Sequence, residues 1–222
     1  MAFLVRTEFH DGSVGIRPFR SEDATALFTA ARESVQELSK WMVWCHPGYS
    51  LEDSTRFISQ CEAGWKKGDQ YSFVIIEIES GSFLGSIGLS GVSHTHKVAN
   101  LGYWVRSKRT QQGIASTATQ LITRFALEEL RLNRLELFVP VGNKASQRVA
   151  EKAGARWEGL LKKRLMLGGE PHDAVLYSVV AEKPQLTPWQ DREENSARLE
   201  LAMMLANGSS QARPLGRLDS TH

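Results

Sequence analysis

VANLGYWV, residues 98–105, continues into the basic stretch RSKRTQQGIAS, residues 106–116. The first part is rich in β-branched and aromatic residues, which predicts a strand. Apolar residues then recur with a helical period at Ala118, Leu121 and Ile122, which predicts a helix. A helix N-terminus offers N–H groups without partners and the positive end of a dipole. The strand, basic loop and helix together therefore predict a site for a phosphate-bearing ligand.

Two common phosphate-binding motifs are missing from this chain. It has no Gly-Lys-Ser/Thr, as a P-loop requires, and no Gly-x-Gly-x-x-Gly, as a dinucleotide site requires. Phosphate binding would instead depend on Gly113, which lets the backbone approach a ligand closely. Arg106, Lys108 and Arg109 would add positive charge. A single glycine at such a junction can equally close a surface loop. The downstream sequence is therefore needed to distinguish a phosphate site from an ordinary loop.

The downstream sequence has a second strand and helix. Residues 134–139 alternate between polar and apolar as a strand does. Asn143 is a good N-cap and Gly154 a good stop for the short helix between them. This order of elements resembles the GCN5-related N-acetyltransferase (GNAT) superfamily, and in particular its RimJ/RimL-like group. The resemblance spans residues 16–180.

Four short motifs carry the resemblance. The family's phosphate loop reads Gln/Arg-x-x-Gly-x-Gly/Ala, and Gly113 and Ala115 match its two small positions. Thr110 stands at the first position, where the family has Gln or Arg. The other three motifs are Ile16-Arg17-Pro18-Phe19, Asn143-x-x-Ser146 with Glu151-Lys152-x-Gly154, and Asp173-x-x-x-Tyr177-Ser178.

The resemblance implies an α+β fold, an α/β/α sandwich in which a twisted mixed β-sheet is flanked by helices. The hydrophobic patterns agree with it. They predict strands at 14–19, 71–78, 83–89, 98–105, 134–139, 157–167 and 174–180, and helices at 21–31, 34–43, 50–67, 116–131 and 143–154. Prolines at 184 and 188 predict a boundary between a domain of residues 1–182 and a tail of residues 183–222. In the tail we expect a helix over 189–206 and then disorder.

The resemblance also implies acetyl-CoA as a co-substrate. No metal is expected, because His94 and His96 have no third ligand evident in the sequence. The resemblance places the cofactor against residues of the strand, the loop and the second helix: Trp104, Val105, Arg106, Arg109, Gln112, Gly113, Ile114, Ala115, Ser116 and Asn143. Ser146 is implied to lie close to the thiol, and Asn143 to orient the cofactor, so both are catalytic candidates. A first-turn serine can also simply bond to backbone. The amine attacks directly, so Cys45 and Cys61 are expected to be buried residues and not nucleophiles.

The general base stays open at this point. Many relatives have a glutamate where this chain has Asn100, and an asparagine cannot accept a proton at neutral pH. The alternatives are water, Glu33, Glu37, His94 and His96. An aromatic segment, with Trp41, Trp44 and Tyr49, is expected to wall the acceptor cleft or, with equal weight, to belong to the core.

The acceptor is expected to be a protein N-terminal α-amine of the ribosomal-protein type. Such an amine, with a pKa near about 8, is partly neutral and needs only a weak base. A small-molecule amine (a polyamine, amino sugar or antibiotic) is the alternative within the enzyme class. A non-catalytic acyl-CoA-binding module is the alternative outside it.

Composition limits the other function classes. The chain has 222 residues, a formal charge of +2, 41% hydrophobic residues and two cysteines. The charge is too near zero to indicate nucleic-acid binding. No apolar run reaches the ~20 residues of a membrane span, and no secretory signal is evident. We therefore expect a cytoplasmic protein, monomeric or homodimeric, without a membrane or nucleic-acid partner.

Overall fold

The computed structural model of the protein describes residues 7–181. They form one eight-stranded mixed sheet with helices on both faces, which confirms the predicted α+β sandwich. The predicted boundary after residue 182, the helix over 189–206 and the disordered end lie outside the described residues. The elements are β1 (Phe9–Asp11), β2 (Val14–Pro18), α1 (Ala24–Glu33), α2 (Val35–Leu38), α3 (Leu51–Lys67), β3 (Tyr71–Glu77), β4 (Phe83–Ser93), β5 (Val98–Val105), α4 (Ile114–Arg124), β6 (Arg134–Pro140), α5 (Lys144–Lys152), β7 (Arg156–Leu167) and β8 (Glu170–Val180).

The sheet order is β1-β2-β3-β4-β5-β6-β8-β7. Strands β1 to β5 pair antiparallel with their neighbours, as short connections allow. Strand β6 pairs parallel with β5, because the chain crosses over through α4 before it returns to the sheet. The β7–β8 hairpin, which turns at the predicted Gly168-Gly169, completes the sheet beside β6.

The two faces of the sheet are covered by different helices. On one face, Leu135 and Leu137 of β6 pack in the same buried cluster as Leu121 and Ile122 of α4. On the other face, Trp104 of β5 belongs to a cluster with residues of α1 and α3. Alternate residues of β5 thus serve two cores, as the period of two in a strand requires.

Three of the differences from the sequence-based expectation have a clear physical reason. Helix α2 ends at Leu38 and not near residue 43, because the chain turns there and buries Cys45 and Tyr49. Helix α4 begins at Ile114, two positions before the predicted 116, because Gly113 has a left-handed backbone and ends the loop directly before it. Strand β1 was not predicted, since Phe9–Asp11 is too short to show a period.

The Arg17-Pro motif is explained by an ion pair. The Arg17 guanidinium binds both carboxylate oxygens of Asp23, at 2.8 and 2.7 Å, and the Arg20 N–H donates to the same carboxylate at 2.8 Å. The Asp23 side chain is only 8% exposed. Burial alone would raise the pKa of Asp23, but the hydrogen bonds from Arg17 and Arg20 outweigh it and lower the pKa. The pair therefore fastens the end of β2 to the start of α1.

Replacing Asp23 by asparagine is expected to lower the free energy of unfolding by about 1–3 kcal/mol at pH 7, the usual range for hydrogen bonds to charged groups. A lowered folded-state pKa means that the stabilisation is fully present above the ordinary value and is lost as pH falls through the folded value. Urea denaturation at pH 7 and near pH 3 measures both effects. Glu22→Gln, at an exposed pair, is the control and should change stability by less than about 0.5 kcal/mol. An equal loss for Asp23→Asn at both pH values would contradict this account.

In the described part of the chain, no helix combines the length and the apolar character needed to cross a membrane.

Candidate active site

Strands β5 and β6 separate in the middle of the sheet. Their parallel pairing covers only Val98–Asn100 opposite Arg134–Glu136, although β5 runs on to Val105 and β6 to Pro140. On its other edge β5 stays paired with β4 as far as Val105. The edge of β5 that faces the gap therefore presents main-chain groups without a strand partner. Such an edge suits an extended ligand with amides of its own.

The loop before α4 is open at its glycine. Gly113 has φ +79°, and a Cβ built on it would meet no atom within 4 Å. Gln111 also has a positive φ, of 64°. No side chain caps the helix, so the N–H groups of its first turn have no partner within it. The side chain of Ile114 is buried, which leaves its N–H as the group that can face a ligand. This arrangement can bind an anion.

The arginines of this loop already form ion pairs with carboxylates of the protein. Arg106 binds Glu33 through Nε at 2.6 Å and Nη2 at 2.8 Å, and Arg109 binds Glu77 at 2.6 Å. The hydrogen bond from Arg106 lowers the pKa of Glu33 despite its partial burial. Arg106 and Arg109, which the sequence predicts to add positive charge at the loop, are therefore each paired with a carboxylate. Their contact with the cofactor stays a prediction, while Lys108 is 79% exposed.

The two catalytic candidates lie together at the start of α5. The Asn143 side chain accepts from the Ser146 N–H at 3.1 Å and so caps the helix, as predicted. The Ser146 hydroxyl lies 2.8 Å from the hydroxyl of Tyr103 on β5. Sequence reasoning missed Tyr103, although the alternation of β5 puts it on the same face as the buried Leu101.

A cavity of about 720 Å³ lies on the opposite face of the sheet, between α3 and strands β4 and β5. Trp44, Tyr49 and Trp104 form its aromatic wall, with ring centroids 5.5 and 5.6 Å from that of Trp44. Trp44 is 39% exposed and Tyr49 is buried. Trp41 does not line this cavity and lies against Gly142, before α5. Two of the three predicted acceptor residues are therefore brought together.

A second cavity, of about 520 Å³, adjoins the first. The two share Ser90, Asn100 and Gly102, so together they form a groove across β5 at the point where the strands separate. Phe138 and Arg164 line the second cavity, with the guanidinium 4.0 Å from the ring centroid. We call these joined cavities the acceptor groove.

The four side chains named as alternative bases do not line the acceptor groove. Glu33 holds Arg106, Glu37 accepts a bond from Ser107, and His94 contacts the carbonyl at the end of α3 at 2.7 Å. None of these three lines either cavity, and neither does His96. His46 does line the larger cavity.

The remaining motif residues have structural roles. The Tyr177 hydroxyl donates to Glu151 at 2.9 Å, which joins β8 to α5. The Lys163 N–H donates to Asp173 at 2.9 Å and shapes a bulge in β7. Cys45 and Cys61 are buried free thiols, and burial raises the pKa of Cys61 to about 11. The expectation that both cysteines are buried is confirmed. Within residues 7–181, no group of acidic, histidine or cysteine side chains is arranged to hold a metal.

Comparison with known proteins identifies the family. A model described as the acetyltransferase (GNAT) domain matches residues 13–156. The protein named "Putative ribosomal N-acetyltransferase YdaF" of Bacillus subtilis (strain 168) is 28% identical over 169 residues, 75% of this chain and 91% of that protein. The ribosomal-protein-serine acetyltransferase of Escherichia coli (strain K12) is 28% identical over 108 residues, 49% of this chain and 60% of that protein.

A solved structure agrees with these relatives. RimJ of Mycobacterium smegmatis, in complex with CoA-disulfide, superposes with a TM-score of 0.70 at 29% identity, covering 83% of this chain and 90% of that chain. The chain is an enzyme of the N-acetyltransferase type and belongs to the GNAT family, in its RimJ/RimL-like group.

Proposed function

We propose that this protein transfers the acetyl group of acetyl-CoA to a protein N-terminal α-amine by direct attack. The observation that carries the proposal is the acceptor groove, which crosses β5 beside the gap between β5 and β6. An acceptor in this groove would meet a donor held in the gap. Two joined cavities offer room for an extended chain and not only for a single small amine.

The cofactor half of the proposal depends on backbone groups. The free edge of β5 near Trp104 and Val105 would pair with the amides of the pantetheine arm, and the N–H groups around Gly113 would hold the pyrophosphate. The bound CoA-disulfide of Mycobacterium smegmatis RimJ supports a CoA site in this fold. A backbone N–H of β5 would also stabilise the oxyanion that forms on the thioester carbonyl.

The charges of the acceptor groove disfavour a polyamine. Asp53 is paired with Arg56 at 3.0 Å, and Glu136 with Arg134 at 2.7 Å. Among the described lining residues, no carboxylate is left without a cationic partner. A polycation would therefore find little net negative charge, whereas a peptide brings a single amine that is partly neutral already. The names of the ribosomal relatives support the same choice.

Trp44→Ala is expected to raise the KM of a peptide acceptor about tenfold, because the substitution removes the exposed face of the aromatic wall. The dissociation constant of acetyl-CoA should stay within about twofold, because Trp44 is not among the residues predicted to contact it. Steady-state kinetics with a peptide panel and calorimetry with acetyl-CoA measure the two effects. Trp157→Ala is the control, since Trp157 is 63% exposed on β7 and lines neither cavity. Equal effects of the two variants would remove Trp44 from acceptor binding.

The proposal is tested by incubating the pure protein with isotope-labelled acetyl-CoA, a deacetylated cytosolic extract and a panel of small amines, followed by mass spectrometry. Label on protein N-termini is the expected result. Label on a small amine alone would move the acceptor to the metabolic or detoxifying class. Binding of acetyl-CoA without any labelled product would support a non-catalytic acyl-CoA-binding module.

A further inference from the structure

The hydroxyl of Tyr103 makes a bond that crosses the gap between the separated strands. It lies 2.8 Å from Ser146 Oγ and 3.2 Å from the Ser146 carbonyl oxygen. Tyr103 is on β5, while Ser146 is in the first turn of α5, directly after β6. Beyond Asn100 the strands share no ladder, so this side chain links the two sides of the proposed CoA site.

The direction of the bond decides what the serine hydroxyl can do. If Tyr103 donates to the Ser146 carbonyl, the serine hydroxyl can donate its hydrogen to the tyrosine oxygen. That hydrogen is then unavailable to a ligand. If Tyr103 donates to Ser146 Oγ, the serine hydrogen is free for another acceptor. At 2.8 Å either hydroxyl can be the donor to the other, and only the second arrangement leaves the serine hydrogen available to a ligand.

We propose that Tyr103 is a positioning residue, which donates to Ser146 Oγ and so turns the serine hydroxyl toward the departing thiolate of CoA. The inference rests on the proposed acetyl transfer and on Ser146 lying beside the thioester. Sequence motifs drew attention to Ser146 alone, and none of them assigns a role to the tyrosine.

Burial keeps Tyr103 protonated, so its hydroxyl stays a hydrogen-bond donor. It raises the pKa of Tyr103 to about 12, although the bond to Ser146 works in the opposite direction. A thiol has a pKa near about 8.5, so a thiolate would not take the tyrosine proton outright. Tyr103 therefore keeps its proton and acts by hydrogen bonding over the whole working pH range.

The balance of the step follows from this. A C–N bond forms between the amine nitrogen and the acetyl carbonyl carbon, and the C–S bond breaks with its electron pair going to sulfur. The nitrogen gives one proton to water, and the thiolate takes one proton from water, so the net reaction releases free CoA thiol. The Ser146 hydroxyl, turned by Tyr103, stabilises the charge on sulfur by a hydrogen bond, and both hydroxyls end the step with the protons they began with.

The test is a double-mutant cycle with Tyr103→Phe, Ser146→Ala and the double variant, read as release of free CoA thiol. The acceptors are synthetic peptides with free N-terminal serine, alanine or methionine, and water alone. Tyr103→Phe should lower kcat roughly fivefold to tenfold, the usual effect of losing one hydrogen bond, with the KM for acetyl-CoA within about twofold. In the Ser146→Ala background the same change should have no further effect, because Tyr103 acts through Ser146.

Tyr177→Phe is the matched control. It also removes a tyrosine hydroxyl that joins a strand to α5, but its partner is Glu151. Its kcat should stay within about twofold of wild type, and thermal denaturation should show similar stability for both phenylalanine variants.

The outcomes separate the inference from the proposed function. If the wild-type protein releases thiol neither with the peptides nor with water alone, the proposed function is contradicted. The inference is then contradicted as well, because it rests on that function. Wild-type turnover that Tyr103→Phe leaves unchanged overturns the inference alone. An equal loss from Tyr103→Phe with and without Ser146 also overturns it, because a purely structural tyrosine would behave in that way.

Discussion

Gly113→Val is expected to weaken acetyl-CoA binding at least about 100-fold, or roughly 2.7 kcal/mol. Gly113 has φ +79°, a conformation that a β-branched residue adopts only with strain. A Cβ there would meet no protein atom within 4 Å, so it would project into open space, where the pyrophosphate is proposed to lie. If the loop instead relaxed its backbone, the N–H groups before α4 would point elsewhere. Isothermal titration calorimetry with acetyl-CoA measures the loss.

Gly12→Val separates backbone strain from contact with the ligand. Gly12 also has a positive φ, of 57°, with no atom within 4 Å of a built Cβ, and it lies in the turn between β1 and β2. Both variants should lose similar stability, but Gly12→Val should bind acetyl-CoA as wild type does. If Gly113→Val also bound normally, the phosphate loop would have been placed wrongly.

Ser146→Ala is expected to lower kcat by about 10–10³-fold. The upper part of this range is typical of losing a proton-transfer group, and the lower part of losing a hydrogen-bond donor. The hydroxyl faces Tyr103 and does not bond to the backbone of its own helix, which removes the simplest structural explanation for a first-turn serine. The Asn143 cap uses the Ser146 N–H, which alanine retains, so α5 should still form. Stopped assays of acetylated peptide at saturating acetyl-CoA give kcat.

Ser146→Thr is the companion variant, because it keeps the hydroxyl and adds one methyl group. It should recover a large part of the activity that Ser146→Ala loses. The dissociation constant of acetyl-CoA should be similar in all three proteins. A normally folded Ser146→Ala protein with wild-type kcat would exclude Ser146 from the reaction.

Local features of the fold could be predicted from the sequence because they depend on near neighbours. The order of strands and helices follows from hydrophobic periods, and the start of α5 from the cap of Asn143. The end of α2 could not be predicted, because the burial of Cys45 and Tyr49 outweighs the helical preference of the residues before them. The motifs identified the family, but they did not show which of their residues are structural, such as Arg17 in its pair with Asp23.

The sequence by itself determined the sandwich of helices around a mixed sheet, the family, and the strand, loop and helix that form the candidate CoA site. These features depend on hydrophobic periods of two and 3.6 residues, on helix caps and on a single glycine. All of these signals act over a few positions of the chain. Only the tertiary structure decided that Arg106 is held by Glu33, 73 positions away, and that Tyr103 reaches Ser146, 43 positions away. The first contact depends on how α1 packs beside the end of β5, and the second on how β5 and β6 pair and then separate. Charge and hydrogen-bond partners therefore follow from the path of the whole chain, and residue type alone does not reveal them.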